Sequence, residues 1–108
     1  MICLYYKEIH LGNLTFDDKT QQFVYNSIEK NEQKAKEKYH MLEYYALFNS
    51  KNKKQINLFD EFYEFEQSVY RNDIIELAGI KKDDCLFVKL QKLATLSLND
   101  DYFHIKNK

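Results

Sequence analysis

Residues 1–26 have the pattern of β-strands, with an apolar start and a second run in which Leu14 and Phe16 alternate with polar residues. The segment ICLYYKEIHLGNLTF is rich in β-branched and aromatic residues and is broken by a polar pair at residues 7–8. After the turn sequence DDKT, the run QQFVYN places Phe23 and Tyr25 on one face. We therefore predict a three-stranded antiparallel meander, in which Gly12 marks a bulge or a close backbone approach.

From residue 27 the apolar spacing changes to the three and four residues of an α-helix. Asn26 is suited to cap this helix, with Glu29 three residues later. The apolar residues continue at helical spacing as far as Ala46 and widen toward Phe48. The polar sequence NSKNKKQ, residues 49–55, predicts a loop after that helix.

Three shorter helices are predicted in the second half of the chain. The segment INLFDEFYEFEQSVY, residues 56–70, has its apolar residues on one helical face. Asp73 is suited to cap the next helix, which Gly79 would close in the left-handed conformation. Asp83 or Asp84 would then begin the last helix.

The C-terminal segment LSLNDDYFHI predicts a turn at residues 99–101 and a strand at residues 102–105. That strand can pair with the N-terminal sheet and bring the two termini together. The expected fold is a single α+β domain, with a meander at 1–26 packed against three to four helices within 27–98. A strand and tail at 99–108 would complete it.

Composition is compatible with a packed core in a chain of this size. The 108 residues are 44% hydrophobic and include nine Tyr and eight Phe, but only two Cys and two Gly. The net charge of −1 disfavours nucleic acid as a partner. Charge is unevenly distributed, since residues 27–54 carry seven Lys against four Glu and residues 55–79 carry Arg71 against six acids. We expect a basic side and an acidic side.

No motif for catalysis or for a cofactor is recognisable. Cys3 and Cys85 lack the spacing of a zinc site and are expected to be free, buried thiols. His10, His40 and His104 lack metal-type partners, and two isolated glycines cannot build a phosphate-binding loop. We expect a protein without catalytic residues, cofactor or metal. Without a signal segment or a membrane span, a cytoplasmic location is expected.

The segment DIIELAGIKKDDCLFVKL has the spacing of a DNA-binding helix-turn-helix. Ile75, Gly79, Cys85 and Val88 satisfy its register. However, the acid pair at residues 83–84 would stand where the second helix enters the major groove, and carboxylates repel phosphates. Two helices packed into a core are therefore favoured over a DNA reader.

The acidic segment and its tyrosines form the predicted partner interface. Nine tyrosines exceed what a small core hides, and tyrosine is favoured where an interface needs an apolar body with a polar tip. The candidate interface residues are Asp60, Glu61, Tyr63, Glu64, Tyr70 and Arg71.

Several segments resemble the N-terminal subdomain of HipA kinases. YYKEIHLGNLTFDDKTQQFVY resembles its opening strands, and LFDEFYEF, YRNDIIELAGIKKDDCLFVKL and NDDYFHI resemble its later helices and turn. The resemblance implies a regulatory role, because in split systems this subdomain is a separate protein that binds the kinase toxin and restrains it. The sequence departs from the family at EFEQSVYR, where a proline-rich helix start is usual, and the Lys-rich helix at 29–38 has no counterpart.

Three functional hypotheses follow. The first is a non-enzymatic regulatory or antitoxin-like module that binds a protein, such as a HipA-type kinase toxin, in a bacterium. The second is an inhibitor from a phage or mobile element that binds a host defence or nucleic-acid-processing protein by acidic mimicry of phosphates. The third is a DNA-binding helix-turn-helix regulator.

Overall fold

The strands of the chain form one antiparallel sheet with the order β4-β3-β2-β1-β5. It is seen in a computed structural model that describes residues 1–40, 43, 45–49, 53–96 and 102–108. The strands are β1 (Ile2–Tyr6), β2 (Ile9–Asp17), β3 (Gln22–Ser27), β4 (Lys53–Gln55) and β5 (Phe103–Asn107). The N-terminal meander and the α+β fold class are confirmed.

The predicted C-terminal strand is also confirmed. β5 lies beside β1 in an antiparallel register that pairs Ile2 with Asn107 and Tyr6 with Phe103. The Lys108 backbone N–H donates to the Met1 carbonyl at 3.3 Å, which holds the two ends of the chain together. The turn predicted at residues 99–101 lies outside the described residues.

One face of the sheet forms the core. Residues directly opposite each other in adjacent strands share a face, so the pairs Ile2 with Leu14 and Leu14 with Tyr25 align across three strands. All three side chains are fully buried. The two-residue alternation therefore separates this buried face from a second face, which carries Tyr5. On that face the Tyr5 and His10 rings stack, with their centroids 4.8 Å apart.

Gly12 provides both features that its position predicts. The register with β1 shifts beside it, because Leu4 pairs with Gly12 while Tyr5 pairs with His10, which leaves one extra β2 residue. A Cβ atom on Gly12 would stand 2.3 Å from the Tyr25 hydroxyl oxygen. Only glycine leaves room for that ring.

The described helices are α1 (Glu29–Tyr39), α2 (Tyr63–Ser68), α3 (Asn72–Ala78) and α4 (Leu86–Ala94), with 3₁₀ helices at Ala46–Asn49 and Asp60–Phe62. α1 lies against β2, while α4 contacts both β1 and β5. None of the helices in the described parts of the chain is long and apolar enough to cross a membrane.

The first predicted helix is much shorter than expected. It ends at Tyr39, where His40 adopts a positive φ of 50° and donates its N–H to the Lys36 carbonyl. The next described helix is the 3₁₀ helix at Ala46–Asn49, whose Phe48 carbonyl accepts a hydrogen bond from the Lys36 ammonium. The prediction failed because apolar spacing continues even where the backbone turns.

Two further boundaries are corrected. The predicted loop at 49–55 contains β4 at Lys53–Gln55, whose register pairs Tyr25 with Lys53, so residues 27–98 are not purely helical. Residues 50–52 of that loop lie outside the described residues. The helix predicted over 56–70 is replaced by a 3₁₀ turn and the short α2, because the backbone before Asp60 is extended.

The predicted side-chain caps are wrong, whereas the glycine cap is right. α1 has Ile28 at its N-cap position instead of Asn26, which lies in β3. α3 has Arg71 there instead of Asp73, which already lies inside the helix. Gly79 closes α3 in the left-handed conformation, with φ of 68°.

The start of α4 differs from the prediction in a similar way. Its N-cap residue is Cys85, and neither Asp83 nor Asp84 begins the helix. The Cys85 thiol is free and exposed, which corrects the expectation of a buried thiol, whereas the Cys3 thiol is free and buried as predicted.

Candidate functional site

A cavity of about 420 Å³ opens between one end of the sheet and the segment 60–65. This volume falls within the range of about 300–1,000 Å³ that is usual for ligand pockets. Six of its lining residues are aromatic: Tyr6, Tyr45, Tyr63, Phe65, Tyr102 and Phe103. Three are acidic: Asp60, Glu61 and Glu64. We call this site the acidic aromatic cavity.

The pairing of β1 with β5 brings the first rings together. Tyr6 ends β1 and pairs with Phe103, and their ring centroids are 4.9 Å apart with planes at 69°. Tyr45 adds an edge-to-face contact with Phe103 at 5.5 Å. Such edge-to-face packing is the preferred geometry of aromatic pairs, so this wall of the cavity is well packed.

The carboxylates come from the opposite wall. Asp60 and Glu61 lie in the second 3₁₀ helix, and Glu64 follows in α2. Glu61 Oε2 accepts a hydrogen bond from the Leu47 backbone N–H at 3.3 Å, which fixes its position, whereas Asp60 and Glu64 are exposed. No lysine or arginine of the described residues lines the cavity or forms an ion pair with these three acids.

The phenol groups of this wall lie close enough to influence one another. The pKa of Tyr6 is raised above its usual value, chiefly because the side chain is buried, and further because the phenols of Tyr102, Tyr45 and Tyr39 are near. The Tyr6 hydroxyl therefore stays neutral at physiological pH. Neutral phenols can both donate and accept hydrogen bonds.

Four of the six residues predicted for the interface line the cavity: Asp60, Glu61, Tyr63 and Glu64. The other two lie elsewhere. Tyr70 receives the Lys89 ammonium 4.9 Å from its ring centroid, and Arg71 forms an ion pair with Asp73 at 2.7 Å. The surface predicted from the sequence is therefore divided, and only its four N-terminal residues contribute to the cavity.

The predicted interface does not include the other five lining residues: Tyr6, Tyr45, Phe65, Tyr102 and Phe103. They come from β1, α2, β5 and the segments beside them. These segments are far apart in the sequence, so no local sequence pattern relates the five residues. The excess of tyrosines was the one available signal. It indicated an aromatic surface but could not show which rings share it.

In the segment with helix-turn-helix spacing, Asp84 is engaged within the protein, whereas Asp83 is exposed. Asp84 Oδ2 accepts hydrogen bonds from the Lys81 backbone N–H at 2.8 Å and from the Lys92 ammonium at 2.5 Å. The first turn of α4 carries Leu86 and Phe87, which pack against the core. The end of α4 that would have to read bases is thus apolar and partly buried.

Within the described residues, no group of three or more His, Cys, Asp or Glu side chains is placed to hold a metal ion. No protein-family model matches the chain, and neither the curated proteins nor the solved structures include a significant match.

Proposed function

We propose that this chain is a non-enzymatic regulatory module that binds a protein partner through the acidic aromatic cavity. The observation that carries the proposal is the joining of three carboxylates with six aromatic side chains at one opening in the surface. Aromatic residues are enriched at protein interfaces, and complementary charge guides association. The partner surface would be basic, and binding would restrain the partner by covering that surface.

A HipA-type kinase is the first partner to test. The sequence resembles the N-terminal subdomain of that family, and a separate subdomain in split systems restrains the kinase. The α+β fold with a C-terminal strand is compatible with this proposal. Occlusion of a basic surface on the kinase would lower its activity without any chemistry by this chain.

The test is direct binding to a candidate kinase toxin of the same genome, followed by a kinase assay. The double variant Asp60→Asn, Glu64→Gln removes two exposed cavity charges without removing a core contact. Binding should weaken by about twofold to thirtyfold, since exposed ion pairs contribute about 0.2–1 kcal/mol each and two would be lost. Inhibition of the kinase should weaken in parallel.

The double variant Glu76→Gln, Asp83→Asn is the matched control, because it removes two exposed charges outside the cavity. Equal weakening by both double variants would show that only net charge matters. Failure of every candidate kinase to bind would refute the HipA-type assignment. A partner whose binding ignores the cavity charges would refute the cavity as the interface.

The two alternative hypotheses, phosphate mimicry and DNA reading, are less well supported. Mimicry of phosphates needs carboxylates alone, whereas this cavity combines carboxylates with aromatic rings, which favours docking of a partner's side chain over occupation of its nucleic-acid site. For a DNA reader, the engagement of Asp84 with Lys92 and the packing of the partly buried Phe87 against the core are both unfavourable. Duplex binding that is lost on Lys81→Ala, Lys82→Ala would support that third hypothesis instead.

A further inference from the structure

The acidic aromatic cavity has the two features that recognise an organic cation. Aromatic faces attract a cation that lies within about 6 Å of a ring centroid, and carboxylates add direct charge pairing. Tyr102 already receives such a charge near the cavity, since the Lys7 ammonium lies 5.9 Å from its ring centroid and 4.7 Å from that of Tyr39. The rings at this end of the sheet therefore receive cations in the folded chain.

The described lining of the cavity includes three acidic side chains and no lysine or arginine. Three carboxylates line it, and none has a lysine or arginine partner among the described residues. Asp60 and Glu64 are exposed and can turn toward a ligand, while Glu61 is fixed by the Leu47 N–H. An anionic or neutral occupant would leave these charges uncompensated.

The chemistry of the lining residues favours a planar cation with several hydrogen-bond donors. A guanidinium group stacks on aromatic faces and presents five N–H donors in one plane, whereas an ammonium is a compact, strongly hydrated charge. The cavity is lined by both aromatic rings and acceptor-only carboxylates, and its volume of about 420 Å³ exceeds what a single ammonium needs.

We propose that the acidic aromatic cavity binds an arginine side chain of the protein partner. This inference rests on the proposed function, because it identifies the residue type that a partner would insert. Tyr63 would stack on the guanidinium from the exposed side, while Glu61 and Glu64 would accept its hydrogen bonds.

The experiment titrates the intact chain with Nα-acetyl-arginine N-methylamide and follows the backbone amide resonances by NMR. Saturable shifts are expected at residues 60–65 and 102–103, which border the cavity. The citrulline analogue has nearly the same shape without the charge and should give no saturable shift. The lysine analogue should bind at least twofold more weakly than the arginine derivative.

Tyr63 and Tyr70 provide a matched pair of variants, because their exposed fractions are 60% and 58% but only Tyr63 lines the cavity. Tyr63→Ala should weaken arginine binding about twofold to fivefold, the range of an exposed cation–π contact. Tyr70→Ala should leave it unchanged. Both side chains are exposed, so the fold should survive and can be verified in the same spectra.

The inference is overturned if the arginine derivative gives no saturable shift at the cavity, or if the citrulline analogue binds equally well. Equal effects of Tyr63→Ala and Tyr70→Ala would also overturn it. A partner that still depends on Asp60 and Glu64 would then leave the proposed function intact. Conversely, arginine binding in the cavity without any partner that depends on these acids would refute the proposed function alone.

Discussion

At the scale of single residues, Gly12, Tyr25 and Glu32 form one connected arrangement. The missing side chain of Gly12 leaves the space that the Tyr25 ring fills. The Tyr25 hydroxyl then donates to Glu32 Oε2 at 2.9 Å, which satisfies a carboxylate that is only 4% exposed. A buried carboxylate without such a partner would be strongly destabilising.

Gly12→Ala should destabilise the protein by about 1–3 kcal/mol or more, because the added Cβ would overlap the Tyr25 ring and the Asn26 carbonyl. Gly79→Ala should lower the free energy of unfolding by about 1–2 kcal/mol for a different reason. The added Cβ would meet no atom within 4 Å, but the φ of 68° is left-handed and strains an alanine. Urea unfolding measures both free energies.

Asparagine distinguishes these two causes. It tolerates the left-handed conformation, so Gly79→Asn should be less harmful than Gly79→Ala. At Gly12 the larger side chain should be worse than alanine. Recovery of stability by asparagine at Gly12 would contradict the steric explanation.

Between pH 5 and pH 7, the wild type should lose stability because Glu32 becomes charged in the folded protein. Glu32→Gln should remove this part of the pH dependence. Burial raises the pKa of Glu32 above its usual value, outweighing the hydrogen bond from Tyr25, which lowers it. The folded state therefore binds a proton more readily than the unfolded state. The wild type gains stability from this group as pH falls through the raised pKa toward 4.5, and glutamine removes that gain.

The measurement is urea unfolding of wild type and variant between pH 7 and pH 4.5. Other titrating groups cancel in the difference between the two proteins, so the difference isolates Glu32. A stability difference that stays constant over this range would contradict the raised pKa. Tyr25→Phe provides a second comparison, because it removes the donor and keeps the ring.

At the scale of elements, the turn between α3 and α4 depends on contacts that no propensity describes. The Lys92 ammonium reaches back from α4 to the Gly79 carbonyl at 3.0 Å and to Asp84 Oδ2 at 2.5 Å. Asp84 also accepts from the Lys81 N–H at 2.8 Å. Lys92 thus connects the end of one helix to the turn that leads into the next.

Lys92→Met should lower the urea midpoint measurably, because it breaks the contacts to both Gly79 and Asp84. Arg71→Met is the matched control, since the Arg71–Asp73 pair is much more exposed. The side chains of Lys92 and Asp84 are 29% and 15% exposed, against 61% and 57% for Arg71 and Asp73. Exposed ion pairs contribute little, so the control should change the midpoint only slightly.

A double-mutant cycle with Asp84→Asn tests whether Lys92 acts through that carboxylate. Lys92→Met should have a smaller effect in the Asp84→Asn background than in the wild type. Additive effects would mean that the carbonyl contact at Gly79 or the packing of the lysine stem is the source of the stabilisation.

At the scale of the whole molecule, two exposed ion pairs join segments that are distant in sequence. Lys38 on α1 reaches Glu8 in the first hairpin at 2.6 Å, and Lys54 on β4 reaches Asp17 at the end of β2 at 2.7 Å. Hydrogen bonds from Lys38 and Lys54, respectively, are the main reason that the pKa values of Glu8 and Asp17 fall to about 2.

Acid should therefore destabilise the fold as pH falls from about 5 to 2. The folded-state pKa values lie below the usual 4.5 of Glu8 and 3.8 of Asp17, so the unfolded state takes up protons first. The stabilisation is present above these usual values and is lost as pH falls toward 2. In the double variant Glu8→Gln, Asp17→Asn, the urea midpoint should fall less steeply as pH decreases. In the wild type, 1 M salt should also make the fall less steep, because salt screens the two ion pairs.

Asp18→Asn is the control for this prediction, because Asp18 is exposed beside Asp17 and outside both ion pairs. In this variant the urea midpoint should fall with decreasing pH as steeply as in the wild type. An identical slope in the Glu8→Gln, Asp17→Asn variant would show that other carboxylates cause the acid sensitivity.

The sequence by itself determined the meander, the C-terminal strand and the glycine cap at Gly79. These features depend on local causes: two-residue alternation marks a sheet with one buried face, and glycine enters the left-handed conformation at less cost than any other residue. Four of the candidate interface residues also line one cavity, because they are neighbours along one segment.

Only the tertiary structure decided where α1 ends, that residues 53–55 form an edge strand, and how Asp84 is used. Each depends on a partner far along the chain: Phe48 for Lys36, Tyr25 for Lys53, and Lys92 for Asp84. The cavity also depends on contacts between residues that are far apart in the sequence. Its rings meet because β5 pairs with β1 and places Phe103 beside Tyr6, a contact that no local pattern contains.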